Sequence, residues 1–164
     1  MKALVKQHAE PGLWMLDVPE PVPGDGDVLI RVRKTSICGT DLHAAKFTDQ
    51  FVERSKKTGG RWTMDPTRDV VFGHEFCCEV VEVGPDCSNL KVGDVVVSMP
   101  VAFDASGIHP IGYSNVYNGG YAELLVVNEL LGIKVPSGLP AHMAALTEPL
   151  AVGVHAVAKS RIVP

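Results

Sequence analysis

Glycine and proline set the length of every element this chain can build. With 16 Gly and 12 Pro in 164 residues, apolar runs meet a turn signal before they go far. Short runs rich in Val, Ile and Leu between such signals read as strands. Residues 3–7, 13–18 and 28–37 are the first of these, with Pro19, Pro21, Pro23, Gly24 and Asp25-Gly26 turning the chain before the third. Residues 70–84, which include Val80-Val81-Glu82-Val83, read as one long strand, and 95–99, 124–128 and 133–136 complete the set. Residues 100–119 read as a loop. So many short strands predict a mainly β (α+β) domain, packed as a barrel or a sandwich.

Two stretches depart from that pattern. Residues 139–160 are Ala-rich and read as a helix that Pro149 should break or kink. Ala144, Ala145, Ala151 and Gly153 would let that helix pack closely. Residues 46–69 are polar, punctuated by Lys56-Lys57-Thr58-Gly59-Gly60-Arg61, with Phe51 and Trp62 as isolated apolar anchors. They read as a long loop, which in a compact domain is either functional or disordered. A lid or an oligomer contact and a mobile surface excursion both stay open. No internal repeat or low-complexity tract is visible.

Composition narrows the partners. The formal net charge is −4, and no basic run is dense enough for nucleic acid or an anionic membrane. The start, Met1-Lys2-Ala3-Leu4-Val5-Lys6, enters strand-like alternation and lacks the apolar core of a signal peptide. No apolar run is long enough to span a bilayer. The expectation is a soluble, cytoplasmic domain. The four cysteines, Cys38, Cys77, Cys78 and Cys87, show no disulfide framework. Cys77 and Cys78 are neighbours on a strand, so they face opposite ways and cannot both reach one site. Cys87 sits in a turn and is assigned no role.

The chemistry gathers at Cys38-Gly39-Thr40-Asp41-Leu42-His43, which follows the strand-like Val28-Leu29-Ile30-Arg31-Val32-Arg33. A soft metal ligand, a hydroxyl, a carboxylate and an imidazole lie within six positions. Alone, the run is ambiguous: a cysteine is usually a small hydrophobe, and Asp41 can simply cap a helical turn. Gly73-His74-Glu75 and Thr147-Glu148-Pro149-Leu150 change the balance. Cys, His and Glu from separated places can surround one zinc and leave a position open, which is the catalytic pattern.

These runs, with Lys91-Val92-Gly93-Asp94-Val95-Val96 and Asn118-Gly119-Gly120-Tyr121-Ala122-Glu123, are in their order and residue types similar to the zinc-dependent medium-chain alcohol dehydrogenases. The chain resembles their N-terminal catalytic domain along nearly its whole length. Gly12-Leu13-Trp14-Met15-Leu16-Asp17-Val18-Pro19 is most like the threonine dehydrogenase branch, and Glu148-Pro149-Leu150 is like the polyol, glucose and threonine branches. The resemblance implies a GroES-like β-barrel with a few short helices and a C-terminal helix. It implies one catalytic zinc held by Cys38, His74 and a carboxylate. It also implies NAD or NADP as hydride acceptor, a small-molecule alcohol as substrate, and a homo-oligomer. Asp41 would orient His74, and Thr40 and His43 would pass the alcohol proton to water. In many members the loop at 100–119 carries four cysteines for a structural zinc; here it has none, so no second zinc is expected. Cys78 stands where the family usually has Gly, which implies a local adjustment of the strand.

The third ligand stays open on the residues alone. Glu75 can join His74 only if the backbone bends, and Gly73 permits a bend. Glu148 has no such restriction; by resemblance it is the expected ligand in the complete enzyme, with Glu75 behind it as a replacement. No strand-Gly-x-Gly-x-x-Gly-helix unit occurs. The expectation is therefore a fragment cut at the domain boundary, inactive alone and prone to self-association. The rival readings are a GroES-like binding module without catalysis, a zinc-independent reductase of the same superfamily, and a purely structural metal.

Overall fold

A computed structural model describes residues 1–7, 10–60 and 64–162. Strand β1 (Lys2–Lys6) pairs antiparallel with β2 (Trp14–Asp17) on one side and with the short β4 (Val70–Val71) on the other. A second sheet has five strands in the order β10-β6-β5-β3-β9. These are β10 (Gly132–Lys134), β6 (Val95–Ser98), β5 (Phe76–Val83), β3 (Asp27–Thr35) and β9 (Leu124–Asn128). Val28 and Ile30 of β3, Cys78 and Val80 of β5, Val96, Leu125 and Val127 form its main core. The domain is thus mainly β, with short helices and a longer C-terminal one.

Residues 70–84 are not one strand. Val70 and Val71 belong to the first sheet and residues 76–83 to the second, with Gly73 at φ +94° between them. The apolar pattern runs on through the break, because both pieces are buried. The cysteine neighbours do face opposite ways: Cys78 lies in the main core, and Cys77 packs with Val97, Ala144 and Ala145. The register between β3 and β5 shifts at Val32/Lys34, opposite Cys78 and Cys77. Cys87 donates to the Asp27 carbonyl at 3.1 Å.

The polar stretch at 46–69 is half helical. Helix α1 (Gly39–Lys46) is followed by α2 (Thr48–Lys57). Thr48, Val52 and Ser55 form the buried face of α2, a helical stripe two of whose members are polar. That is why the periodicity escaped an apolar template. Trp62 and Arg61 lie outside the described residues. The loop expected at 100–119 contains a hairpin, β7 (Val101–Asp104) and β8 (Gly107–Pro110). Asp104 ties its turn, accepting the Ser106 amide at 2.7 Å and the Ser106 hydroxyl at 2.6 Å. Ser106 above all, with His109, holds the Asp104 carboxyl far below the usual carboxylate range.

The C-terminal helical region divides into α3 (Ala141–Ala144) and α4 (Thr147–Ser160). The break falls before Thr147 rather than at Pro149. Proline is tolerated there because the first turn's amides have no intrahelical partner to lose. Ala144 and Ala145 pack closely, as their size suggested, but no residue of α4 is buried. Leu150, Val152, Val154 and Val157 are all more than 60% exposed. No helix among the described residues is long and apolar enough to cross a membrane.

The Gly73 junction is closed by backbone. A Cβ on Gly73 would stand 2.5 Å from the Tyr121 ring and 2.7 Å from its amide nitrogen. Gly73→Ala therefore combines a disallowed φ with a clash. It should lower the unfolding free energy by about 2–4 kcal/mol in urea titration; a loss within experimental error would show that this junction does not constrain the fold.

Candidate functional site

The site is built where three chain segments meet. β3 ends at Thr35, and the Ser36 amide donates to the Glu75 carbonyl at 2.9 Å, tying the segment after β3 to the one before β5. Cys38 is the N-cap of α1. Its sulfur accepts from the Thr40 amide at 3.5 Å, and its own amide donates to Asp41 Oδ2 at 3.2 Å. This reciprocal capping fixes where the thiol points. Gly73 turns the chain so that His74 and Glu75 lie at the same place.

Asp41 is the centre of the arrangement. It is 1% exposed and accepts from His74 Nδ1 at 3.2 Å, Tyr113 Oη at 2.7 Å and Tyr121 Oη at 2.8 Å, besides the Cys38 amide. Burial pushes its carboxyl up, but the hydrogen bonds from His74, Tyr113 and Tyr121 hold it below the ordinary value. Burial likewise disfavours a charged His74, yet Asp41 and then Cys38 outweigh that and push the imidazole up to about 9. Burial and the Asp41 charge raise both tyrosines far above the usual phenol range. With Nδ1 on Asp41, His74 has Nε2 left for another partner.

Ligand atoms of Cys38, His74 and Glu75 all lie within 4.8 Å of one another. The Glu75 carboxylate also accepts from the Ser36 hydroxyl. Beside this cluster opens a cleft of about 600 Å³, lined by Thr40, His43, His74 and Glu148 among others. Glu148, in the first turn of α4, is not one of the three clustered donors. Burial raises its carboxyl, His74 opposes this, and the carboxylates of Glu75 and Asp41 add to the rise. His43 stacks at a tilt on Phe47, ring centres 5.2 Å apart. Among the described residues no hydrogen bond links Thr40 to His43.

The structure therefore brings Cys38, His74, Glu75 and Asp41 into contact and sets Thr40, His43 and Glu148 around the adjoining cleft. Tyr113, Tyr121 and Ser36 carry contacts that the motifs did not assign. Tyr121 lay within the Asn118-Gly119-Gly120-Tyr121 run, where its place beside two glycines was a usable signal. Tyr113 and Ser36 left none. α2 was also missed, although it forms part of the cleft wall through Phe51, Arg54 and Thr58.

Fold and site together define a GroES-like β domain with a cysteine-histidine-carboxylate cluster beside a cleft. The chain belongs to the alcohol dehydrogenase GroES-like domain family, which matches residues 24–137. An L-threonine 3-dehydrogenase of Pseudoalteromonas translucida (strain TAC 125) is 34% identical over 166 residues, covering 94% of this chain and 46% of that protein. One from Streptomyces avermitilis is 51% identical over 96 residues, 58% of this chain and 25% of that protein. Among solved structures, 2R,3R-butanediol dehydrogenase from Bacillus subtilis superposes with a TM-score of 0.79 at 33% identity, covering 98% of this chain and 48% of that one. A protein described as a zinc-binding dehydrogenase from Sinorhizobium meliloti 1021, bound to NADP, gives 0.76 at 26% identity, with 96% and 45% covered. The chain thus spans less than half the length of each of these relatives.

Two expectations follow from the site's electrostatics. A folded-state value above the free one means that the fold favours the imidazolium. That stabilisation is complete below the free value of 6.5 and is lost as pH rises through about 9. Any cation held at His74 would have to displace the same proton, so zinc affinity, if the site takes zinc, should climb with pH from about 6 towards 9, with proton release. A flat profile in competition titration over that range would show that no such proton is displaced at His74. Tyr113→Phe removes one donor from a buried carboxylate and should cost about 1–3 kcal/mol of stability; thermal unfolding unchanged from wild type would count against the Asp41 network.

Proposed function

We propose that this domain is the catalytic part of a zinc-dependent, NAD(P)-linked dehydrogenase that oxidises an alcohol to the carbonyl. The observation that carries it is the convergence of Cys38, His74 and Glu75 within 4.8 Å. The donor set fits zinc: a thiolate, an imidazole and a carboxylate are its commonest ligands, and three of them with an open position make a catalytic site. Ligands around tetrahedral zinc lie roughly 3.5 Å apart, so a small closing of side chains completes the geometry. The buried Asp41 on His74 Nδ1 is the kind of outer partner that fixes a ligand's tautomer and orientation. When bound, zinc supplies Lewis-acid stabilisation of negative charge on an oxygen.

The chain's own residues would do the rest. Cys38 and His74 bind the metal, and Glu75 and Glu148 are the two carboxylates available as third ligand. Glu148, lining the same cleft, would serve in the complete enzyme, with Glu75, whose carboxylate lies near Cys38 and His74, as its replacement. Tyr113 and Tyr121 keep Asp41 ionised and in place. Phe51, Pro100 and Ile111 present apolar surface to the substrate. Thr40 and His43, both lining the cleft, would take the hydroxyl proton towards solvent, and a bound nicotinamide would supply the hydride acceptor. Thr40 suits this, since a hydroxyl both accepts and donates, and His43 carries the proton to solvent.

One zinc per chain is inferred, because residues 100–119 contain no cysteine. The substrate class is a secondary alcohol, polyol, sugar or threonine-like amino alcohol, in line with the names of the relatives. NAD or NADP would bind a further domain, which fits relatives more than twice as long and one solved with NADP. The exposed apolar side of α4 fits packing against that domain or a second copy, and these residues alone should not turn over alcohol. A cytoplasmic setting is part of the same reading.

Elemental analysis should give about one zinc per chain, and Cys38→Ala should lose it. Glu148→Gln should lower zinc affinity and turnover of the complete enzyme more than Glu75→Gln. Two zincs per chain, or full zinc in Cys38→Ala, would overturn the metal assignment. A larger loss in Glu75→Gln would reverse the ligand order.

A further inference from the structure

Helix α2 gives the cleft a charged wall that the dehydrogenase chemistry does not use. Phe51, Arg54, Ser55 and Thr58 all line the cleft that His74 and Glu148 share. Arg54 is the one guanidinium or ammonium among its described lining residues. Its helix neighbours leave it available. Glu53 is taken by Lys57 at 2.6 Å, one turn on. The Thr58 hydroxyl is turned back onto the Arg54 and Ser55 carbonyls, each at 3.1 Å. Among the described residues no carboxylate lies within ion-pair distance of Arg54. The cleft's own carboxylate, Glu148, makes no ion pair with Arg54.

A guanidinium beside apolar surface is a strong anion receptor. Its planar fork matches a carboxylate or a phosphate through paired N–H donors, and Phe51, Pro100 and Ile111 line the same cleft with apolar surface. A cleft of about 600 Å³ has room for an alcohol with a second functional group. We propose that Arg54 is a specificity determinant, holding an anionic group, carboxylate or phosphate, of an alcohol whose hydroxyl lies at the Cys38–His74–Glu75 cluster. The proposal rests on the dehydrogenase reading above and narrows its substrate class to acidic alcohols.

The turnover test uses the complete, zinc-loaded enzyme with NAD or NADP supplied, as wild type, Arg54→Gln and Arg54→Lys. Matched alcohols separate the charge from the rest of the substrate: 3-hydroxybutyrate against 2-butanol for the carboxylate, glycerol 3-phosphate against glycerol for the phosphate. Arg54→Gln should raise KM for the charged member of one pair by roughly tenfold to a hundredfold, with kcat little changed. The neutral member should be unaffected, and Arg54→Lys should recover part of the loss. Which pair responds identifies the anion. Calorimetry with 3-hydroxybutyrate and with glycerol 3-phosphate, without nucleotide, supplies a readout independent of turnover. If alcohols are oxidised but Arg54→Gln treats charged and neutral members alike, or neither anion binds through Arg54, the proposal is overturned and the dehydrogenase reading stands. If no alcohol is oxidised but anion binding still depends on Arg54, the anion site stands and the dehydrogenase reading falls. The side chain is exposed on α2, so both variants should fold, which circular dichroism checks.

Discussion

A single buried carboxylate organises this domain. Asp41 is 1% exposed, and burying an ion without partners would be prohibitive. It is tolerated because donors reach it from four places: the N-terminus of α1, the residue after Gly73, the segment after β8, and the tyrosine before β9. Each donor fixes one segment against the others. The carboxylate thus does structural work, joining both sheets to a helix, and electrostatic work, setting the state of His74. A hydrophobic residue of similar size would fill the space but leave these donors unpaired and His74 without its charged partner.

Much of the fold was legible in the sequence, and the parts that were not share physical causes. Strand β9 was read to its ends, because Gly and Pro signals and burial agree there. Residues 70–84 were read as one strand because continuous burial hides a change of sheet; only Gly73 in their midst hinted at it. Helix α2 was invisible to an apolar template because Thr48 and Ser55 take buried positions on its inner face. Pro149 was given too much weight. Proline ends helices from within, but in the first turn it has no hydrogen bond to remove.

The candidate site was legible for a different reason. Cys38, His74 and Glu75 are chemically conspicuous, and the geometry of Gly73 lets adjacent residues on an otherwise extended segment converge with a cysteine from far along the chain. What surrounds them was not legible. Tyr113 and Ser36 are ordinary residues in polar segments, and nothing local marks them as partners of Asp41 and Glu75. Arg54 was likewise one charge in a charged stretch until α2 was seen to form part of the cleft wall. Residue type announces a ligand; only topology announces what holds it.

The turn at Gly73 has a kinetic side as well. It places two donors on the link between the first sheet and the second, while the cysteine comes from the end of β3, so the cluster exists only once the sheets have docked. Contacts of such long sequence separation form late, after loop closure has been offset by hydrophobic association. A cation held by these three groups would then be absent from the folding nucleus and present only near the native state. Interactions of that kind leave the folding rate nearly untouched and slow unfolding instead. On this geometry a metal, if bound, would act as a latch on a domain already assembled, lengthening the lifetime of the native state without hastening its formation.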